Sequence, residues 1–203
     1  MDVIYKIFLI IIACAITGSI IGYAYADDYF PIMGVWDHSP HVCLNINDVL
    51  HSAFKAVGDW RKQLRLYTQS TNFDYTLYKG IKPECDIIIH ENLNMTGIYG
   101  NTICSVNRNV ITSCVINIMT TTPSHYRADT FKHEFGHALG LNHRQTDNMW
   151  QFPYLVQQDD IMLSQASPFD KITQADLDAL LFIYGEDGYQ LPNNYNKTYG
   201  PKH

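Results

Sequence analysis

The chain has 203 residues, of which 46% are hydrophobic and 13% aromatic. That is enough apolar side chain for one globular domain with a core of its own. The formal charge is −6, from 14 Lys and Arg against 20 Asp and Glu, and no basic run is longer than two residues. Because binding to phosphates needs clustered cationic side chains, this composition argues against a nucleic-acid partner.

The first 26 residues have the pattern of a signal peptide. Lys6 precedes an uncharged apolar run from Ile7 to Ile21, and Ala24 and Ala26 place small residues where a signal peptidase reads the chain. We predict cleavage after Ala26. The alternative is an uncleaved anchor, since about 20 apolar residues can span a bilayer, and only then would a membrane be a partner. Either way we expect a secreted protein or one on the extracytoplasmic surface.

Residues 27–188 are the predicted folded domain, and a polar tail follows over 189–203. Outside the signal segment this part of the chain has four cysteines, and an even number in an oxidising compartment predicts two disulfides. Four cysteines allow three pairings. The short separation of Cys104 and Cys114 favours a local bridge, which would leave Cys43 with Cys85.

Hydrophobic patterns predict an α+β domain. The alternation over Val42 to Ile46 is typical of a half-buried strand. A long amphipathic helix follows an N-cap at Asn47 or Asp48, because apolar residues then recur at spacings of three and four as far as Leu64. Further strands are predicted within 71–80, 86–90 and 102–106, and from Val110 or Cys114 to Met119.

Two more helices are predicted in the second half of the chain. Pro123 breaks the chain, and the second helix begins near Ala128 or Asp129 and ends at Gly140. The last helix begins at Thr173, which resembles the N-cap of a capping box closed by Asp176, and it runs to Gly185.

The second helix carries the residues that indicate chemistry. His133 and His137 are four residues apart, so both imidazoles lie on one helical face and can reach one ion. A catalytic zinc has three protein ligands and an open position, and we predict His143 as the third ligand. Gly140 makes this credible, because a residue without Cβ can take the positive φ of a sharp turn after the helix. Glu134 projects beside the metal and is the predicted general base for an attacking water.

The segment HEFGHALGLNH, from His133 to His143, resembles the zinc-binding consensus of the metzincins, and the surrounding chain is similar to the matrixin branch. The resemblance implies a zinc endopeptidase whose fold has a mixed twisted sheet, a long packing helix, an active-site helix and a C-terminal helix. It also implies an extended peptide or protein substrate paired to a sheet edge, and a methionine turn under the metal. We favour Met162 for that turn over Met149. Arg144 departs from the animal matrixins, which have Ser after the third His.

Two other readings of the motif stay open. A zinc-stabilised binding module could keep the fold without proteolysis, although the intact Glu134 argues against it. A zinc hydrolase acting on a non-peptide envelope polymer would share the metal chemistry. One catalytic zinc ion is expected, and we expect a monomer. Neither a second zinc nor a structural calcium is indicated, because no ligand spacing is recognisable among the remaining histidines, which are His38, His41, His51, His90, His125 and His203.

Overall fold

The computed structural model describes residues 33–45, 50–68, 74–92, 95, 98–143, 160–163, 171–185 and 188. The predicted signal segment 1–26, Met149 and the tail 189–203 lie outside these residues. In chain order the elements are β1 (His41–Asn45), α1 (Leu50–Thr68), β2 (Thr76–Lys79), β3 (Ile87–Asn92), β4 (Gly100–Asn107), β5 (Val110–Met119), α2 (Ser124–Ala138) and α3 (Gln174–Tyr184).

The strands form one mixed sheet in the order β2-β1-β3-β5-β4. Four strands are parallel, whereas β4 runs antiparallel to β5 at the edge of the sheet. This sheet and its helices agree with the predicted architecture and are compatible with a metzincin-like fold. Among the described strands, β4 therefore has one outer edge with backbone groups that no neighbouring strand pairs.

The core lies between one face of the sheet and the helices. Side chains two residues apart on a strand share a face, so Ile87 and Ile89 of β3 are both buried, as are Ile116 and Ile118 of β5. Trp60 of α1 is fully buried, and its indole N–H donates to the main-chain oxygen of Lys132 on α2 at 2.8 Å. Helix α1 thus fixes α2 against the sheet. None of the helices in the described ranges combines the length and the apolar composition that crossing a membrane requires.

Two disulfides join Cys43 to Cys85 and Cys104 to Cys114. The predicted pairing is confirmed. Cys104 and Cys114 are directly opposite each other on β4 and β5, so this bridge holds the edge strand to its neighbour. The other bridge ties β1 to the residues just before β3.

The segment before β1 packs against the end of α2. The indole N–H of Trp36 donates to the main-chain oxygen of Ala138 at 2.7 Å, and the N–H of Met33 donates to the oxygen of Gly140 at 3.0 Å. The last carbonyls of a helix have no partner within the helix. Here the preceding segment supplies donors, and it thereby holds the turn that follows α2.

Helix α2 begins at Ser124, so the predicted start near Ala128 or Asp129 is wrong. Pro123 occupies the N-cap position, and its carbonyl accepts from the N–H groups of Tyr126 and Arg127 at 2.9 and 3.1 Å. Proline is tolerated at a helix start because the first N–H groups lack partners within the helix and its φ suits the first turn. Pro123 therefore begins the helix instead of delaying it.

The start of α3 confirms the predicted capping box. The side chain of Thr173 accepts from the N–H of Asp176, and the Asp176 carboxylate accepts from the N–H of Thr173 at 2.7 Å. Two donors at the helix start are thus satisfied.

Candidate metal centre

The three predicted ligands come together at the end of α2. The Nε2 atoms of His133 and His137 are 3.1 Å apart, and those of His133 and His143 are also 3.1 Å apart. The third side of this triangle, between His137 and His143, is 3.2 Å. In a tetrahedral zinc site with bonds of about 2.0–2.1 Å, nitrogen ligands lie about 3.3–3.4 Å from one another. In the part of the chain that the structure describes, these three residues form a group that could hold a metal ion.

The turn after α2 brings His143 back to the helix. Gly140 has φ of 105°. Its N–H donates to the oxygen of His137 at 2.9 Å, and the N–H of Leu141 donates to the oxygen of Gly136 at 3.1 Å. These paired bonds are those of a Schellman motif, which favours glycine at the residue with positive φ. The predicted role of Gly140 is therefore confirmed in its backbone geometry.

Main-chain oxygens orient two of the imidazoles. Nδ1 of His133 lies 2.6 Å from the oxygen of Ile161, and Nδ1 of His137 lies 2.8 Å from the oxygen of Leu141. Because a carbonyl oxygen only accepts hydrogen bonds, each Nδ1 must carry the proton. The Nε2 atoms then have free lone pairs directed at the common point, which is the arrangement that metal-binding histidines use.

Burial keeps the imidazoles neutral. It lowers the pKa of His133 to about 4 and that of His137 to about 3, while the accepting main-chain oxygens of Ile161 and Leu141 oppose the shift. Burial also lowers the pKa of His143. At neutral pH a metal ion would therefore displace no proton from these ligands.

Met162 lies beneath the helix that carries the histidines. It is fully buried, and its Sδ occupies the space that a Cβ would take at Gly136, between the two helical histidines. Asp160 holds this short segment: one carboxylate oxygen accepts from the N–H of Met162 at 2.9 Å, and the other accepts from the hydroxyl of Thr173 at 2.8 Å. The position agrees with the preference for Met162, and the rival Met149 is outside the described residues.

Glu134 is a buried carboxyl group next to the histidine cluster. Only 5% of the residue is exposed, and its Oε2 lies 2.7 Å from the hydroxyl of Thr102 on β4. Burial raises the pKa of Glu134 to about 7, although the hydrogen bond from Thr102 lowers it. A carboxyl group with such a pKa can accept and release a proton near neutral pH.

Three neutral imidazoles that converge near a buried carboxyl group are of the residue types that hold catalytic zinc ions in proteins. A family model described as "Metallo-peptidase family M12B Reprolysin-like" matches residues 65–144, a range that includes all three histidines and Glu134. The chain is thus similar to metallopeptidases. Reprolysins are a different metzincin branch from the matrixins, so this match does not confirm the matrixin-like subfamily.

No curated protein matches the sequence. Among solved structures, the chain is similar to one described as "GM1 bound form of the ECX AB5 holotoxin", with a TM-score of 0.46 and 14% identity. That alignment covers 81% of this chain and 91% of the other.

The sequence motif identified the side chains that meet at the centre but not the groups that hold them. The contacts of Thr102 with Glu134 and of Asp160 with Met162 join residues far apart in sequence. Position 102 lies in a strand that the sequence predicts, yet which face of that strand meets α2 depends on the packing of the sheet. The oxygens of Ile161 and Leu141 that orient the imidazoles belong to the main chain, so the residue types at these positions do not indicate this role.

Proposed function

We propose that this chain is an exported zinc-dependent endopeptidase that acts as a monomer. The observation that carries the proposal is the triangle of Nε2 atoms, 3.1–3.2 Å on each side, beside the buried carboxylate of Glu134. His133, His137 and His143 would hold the zinc ion. Three protein ligands leave a coordination position for chemistry, whereas structural zinc sites have four. The similarity to metallopeptidases supports a peptide bond as the target.

The proposed mechanism assigns the proton transfers to Glu134. A zinc ion bound there would supply Lewis acidity, which lowers the pKa of a water ligand and polarises a carbonyl group. Glu134 accepts the proton that water loses as it attacks the scissile carbonyl carbon. It then passes that proton to the amine nitrogen as the carbon–nitrogen bond breaks.

The substrate we propose is an extended peptide or protein segment that lies along β4. This strand is at the sheet edge, and an extended peptide can pair with such an edge through main-chain hydrogen bonds. Ile103 and Val106 of β4 are 62% and 42% exposed and offer apolar surface beside that edge. The substrate and the active centre would then meet where Thr102 contacts Glu134.

The disulfides support export, because such bonds form and persist in oxidising compartments. Within the metzincins, the Asp160-Ile161-Met162 segment before α3 supports the matrixin branch, whereas the matched family model supports the reprolysin branch. The proposed chemistry is the same for both.

Replacing the proposed base tests this function. Glu134→Ala should bind zinc with unchanged stoichiometry and lose casein or gelatin digestion by about 10²-fold or more, because proton transfer loses its acceptor. Glu84→Ala, an exposed acidic residue away from the centre, is the matched control and should keep full activity. A hydroxamate should inhibit the wild-type protein.

Three outcomes would count against the proposal. Turnover retained by Glu134→Ala removes Glu134 from the mechanism. A zinc-loaded wild-type protein that cleaves no member of a peptide library favours the binding-module reading. Cleavage of purified envelope polymers, without peptide cleavage, favours the non-peptide hydrolase.

A further inference from the structure

The edge strand β4 approaches α2 through two residues on one face. Gly100 and Thr102 are two positions apart on β4, so both are directed to the same side of the sheet. Both lie against Glu134, which is on the second-last turn of α2. The strand proposed to pair with substrate therefore also contacts the proposed base.

Thr102 makes two contacts with Glu134 through one oxygen. Its Oγ1 is 2.7 Å from the carboxylate Oε2 and 2.9 Å from the main-chain oxygen of Glu134. A hydroxyl group has one proton to donate and can also accept. One hydroxyl group thus links β4 to both the side chain and the main chain of Glu134.

Gly100 leaves the space that the carboxylate fills. A Cβ at this position would lie 2.8 Å from Cγ of Glu134 and 2.9 Å from its Oε1. It would also lie 2.8 Å from Cγ2 of Thr130 on α2. Carbon atoms in van der Waals contact are about 3.5–4.0 Å apart. Any side chain at position 100 would therefore move Glu134 or push β4 away from the helix.

We infer that Thr102 is a positioning residue for Glu134, and that Gly100 provides the space in which Thr102 holds the carboxylate. This inference rests on the proposed function, since it assigns to β4 the orientation of the group that moves the proton. The 2.7 Å contact of Oγ1 with Oε2 fixes one carboxylate oxygen, and the missing side chain at position 100 leaves room for the other.

The test compares Thr102→Val, which keeps the β-branched shape and removes the hydroxyl, with Thr102→Ser, which keeps the hydroxyl. For Thr102→Val we expect kcat to fall about 10- to 100-fold with KM within about twofold, because the loss affects the transition state. Thr102→Ser should recover kcat to within about threefold of the wild type. Thr112→Val is the matched control, because Thr112 is exposed on β5 and its hydroxyl group donates to the main-chain oxygen of Ser105, away from Glu134. The kcat of this variant should stay within about twofold of the wild type.

Zinc affinity provides a readout that does not depend on activity. Within the described part of the chain, Thr102 forms hydrogen bonds with Glu134 and with none of the three histidines. The zinc dissociation constant of Thr102→Val, measured by chelator competition, should therefore stay within about twofold of the wild type. A loss of zinc affinity parallel to the loss of kcat would overturn the inference, because Thr102 would then act on the metal site as a whole.

A double-mutant cycle in the metal-free protein tests the contact itself. At pH 8, Thr102→Val should lower the unfolding midpoint by about 2–4 °C when Glu134 is present. In a Glu134→Ala background the same change should lower the midpoint by less than half as much, since the carboxylate that needed a partner is gone. Equal shifts in the two backgrounds would overturn the inference.

Gly100→Ala supplies an independent variant. Because the new methyl group meets the Glu134 side chain, we expect a kcat decrease of about tenfold or more. Gly58→Ala is its control, since nothing lies within 4 Å of a Cβ at that helical position. The failures are distinguishable. A wild-type protein without peptidase activity overturns the proposed function, and the unfolding cycle still decides the contact. An active wild type with full activity in Thr102→Val overturns only the positioning role.

Discussion

Burial shifts the pKa of the carboxyl group and the pKa values of the imidazoles at this centre in opposite directions. It raises the pKa of Glu134 to about 7 and lowers those of His133 and His137 to about 4 and 3, because it disfavours whichever form is charged. All three side chains are thereby biased to neutrality in the metal-free protein. A bound cation would favour the ionised carboxylate and needs the neutral imidazoles.

This bias predicts a pH-dependent effect of Glu134→Gln on the stability of the metal-free protein. The folded carboxyl group binds a proton more tightly than the unfolded one, whose pKa is near 4.5. The free energy of unfolding is therefore unaffected by this group below pH 4.5 and decreases progressively as the pH rises to about 7. Glu134→Gln has no group that ionises here, so it does not undergo this decrease. Its advantage in free energy of unfolding should grow between pH 4.5 and 7 and then level off, reaching on the order of 3 kcal/mol.

Urea unfolding of both proteins across pH 4.5–8 measures this difference. The histidines have the opposite effect, since their lowered pKa values make stability rise with pH up to about 6.5. That contribution is common to both proteins and cancels in the comparison. A difference that does not change with pH would contradict the assigned environment of Glu134.

At the scale of elements, the turn after α2 determines whether the third histidine reaches the centre. Gly140→Ala places a methyl group at φ of 105° and against the main-chain oxygen of Gly34. We expect the free energy of unfolding to fall by about 2 kcal/mol, from the unfavourable backbone and the displaced neighbour. Zinc affinity should fall about tenfold or more, because His143 follows the turn. Chelator competition and urea unfolding measure the two effects.

Gly58→Ala distinguishes this prediction from a general effect of glycine replacement. Gly58 lies in α1 with nothing within 4 Å of a new Cβ, and alanine is the better helix former by about 0.5–1 kcal/mol. This variant should be more stable than the wild type, with unchanged zinc affinity. If Gly140→Ala kept full zinc affinity, the turn would not be what brings His143 to its neighbours.

The helices, the strands and the histidine motif could be predicted from the sequence where they depend on residues that are close together in the chain. The alternation in β1, the helical spacing in α1, the capping box at Thr173 and the reversal at Gly140 each depend on a few adjacent residues. The start of α2 could not be predicted in this way. A proline that begins a helix and a proline that breaks one differ only in the conformation of the residues that follow. The contact between Thr102 and Glu134 depends on the register and order of the sheet, which no local pattern specifies.

For the whole molecule, the two disulfides constrain the fold on different scales. Cys43–Cys85 closes a separation of 42 residues and links β1 to the chain before β3, whereas Cys104–Cys114 closes 10 residues within one strand pair. The entropy lost by an unfolded chain on cross-linking grows with loop length, which predicts about 4 kcal/mol for the first bridge and about 3 kcal/mol for the second. Stability should therefore depend more on the longer link.

Removal of the Cys104–Cys114 bridge should lower kcat more than removal of the Cys43–Cys85 bridge, although it lowers stability less. Cys104 is two residues from Thr102 on the strand that contacts Glu134, so replacing Cys104 and Cys114 by Ser should loosen β4 against β5 and lower kcat by about tenfold. Replacing Cys43 and Cys85 by Ser should lower the free energy of unfolding more, while the zinc-loaded folded protein keeps kcat within about threefold, because neither residue contacts the centre. Urea unfolding and peptide cleavage on both double variants provide the comparison. If kcat fell in proportion to stability in both, the edge strand would have no separate part in orienting the catalytic groups.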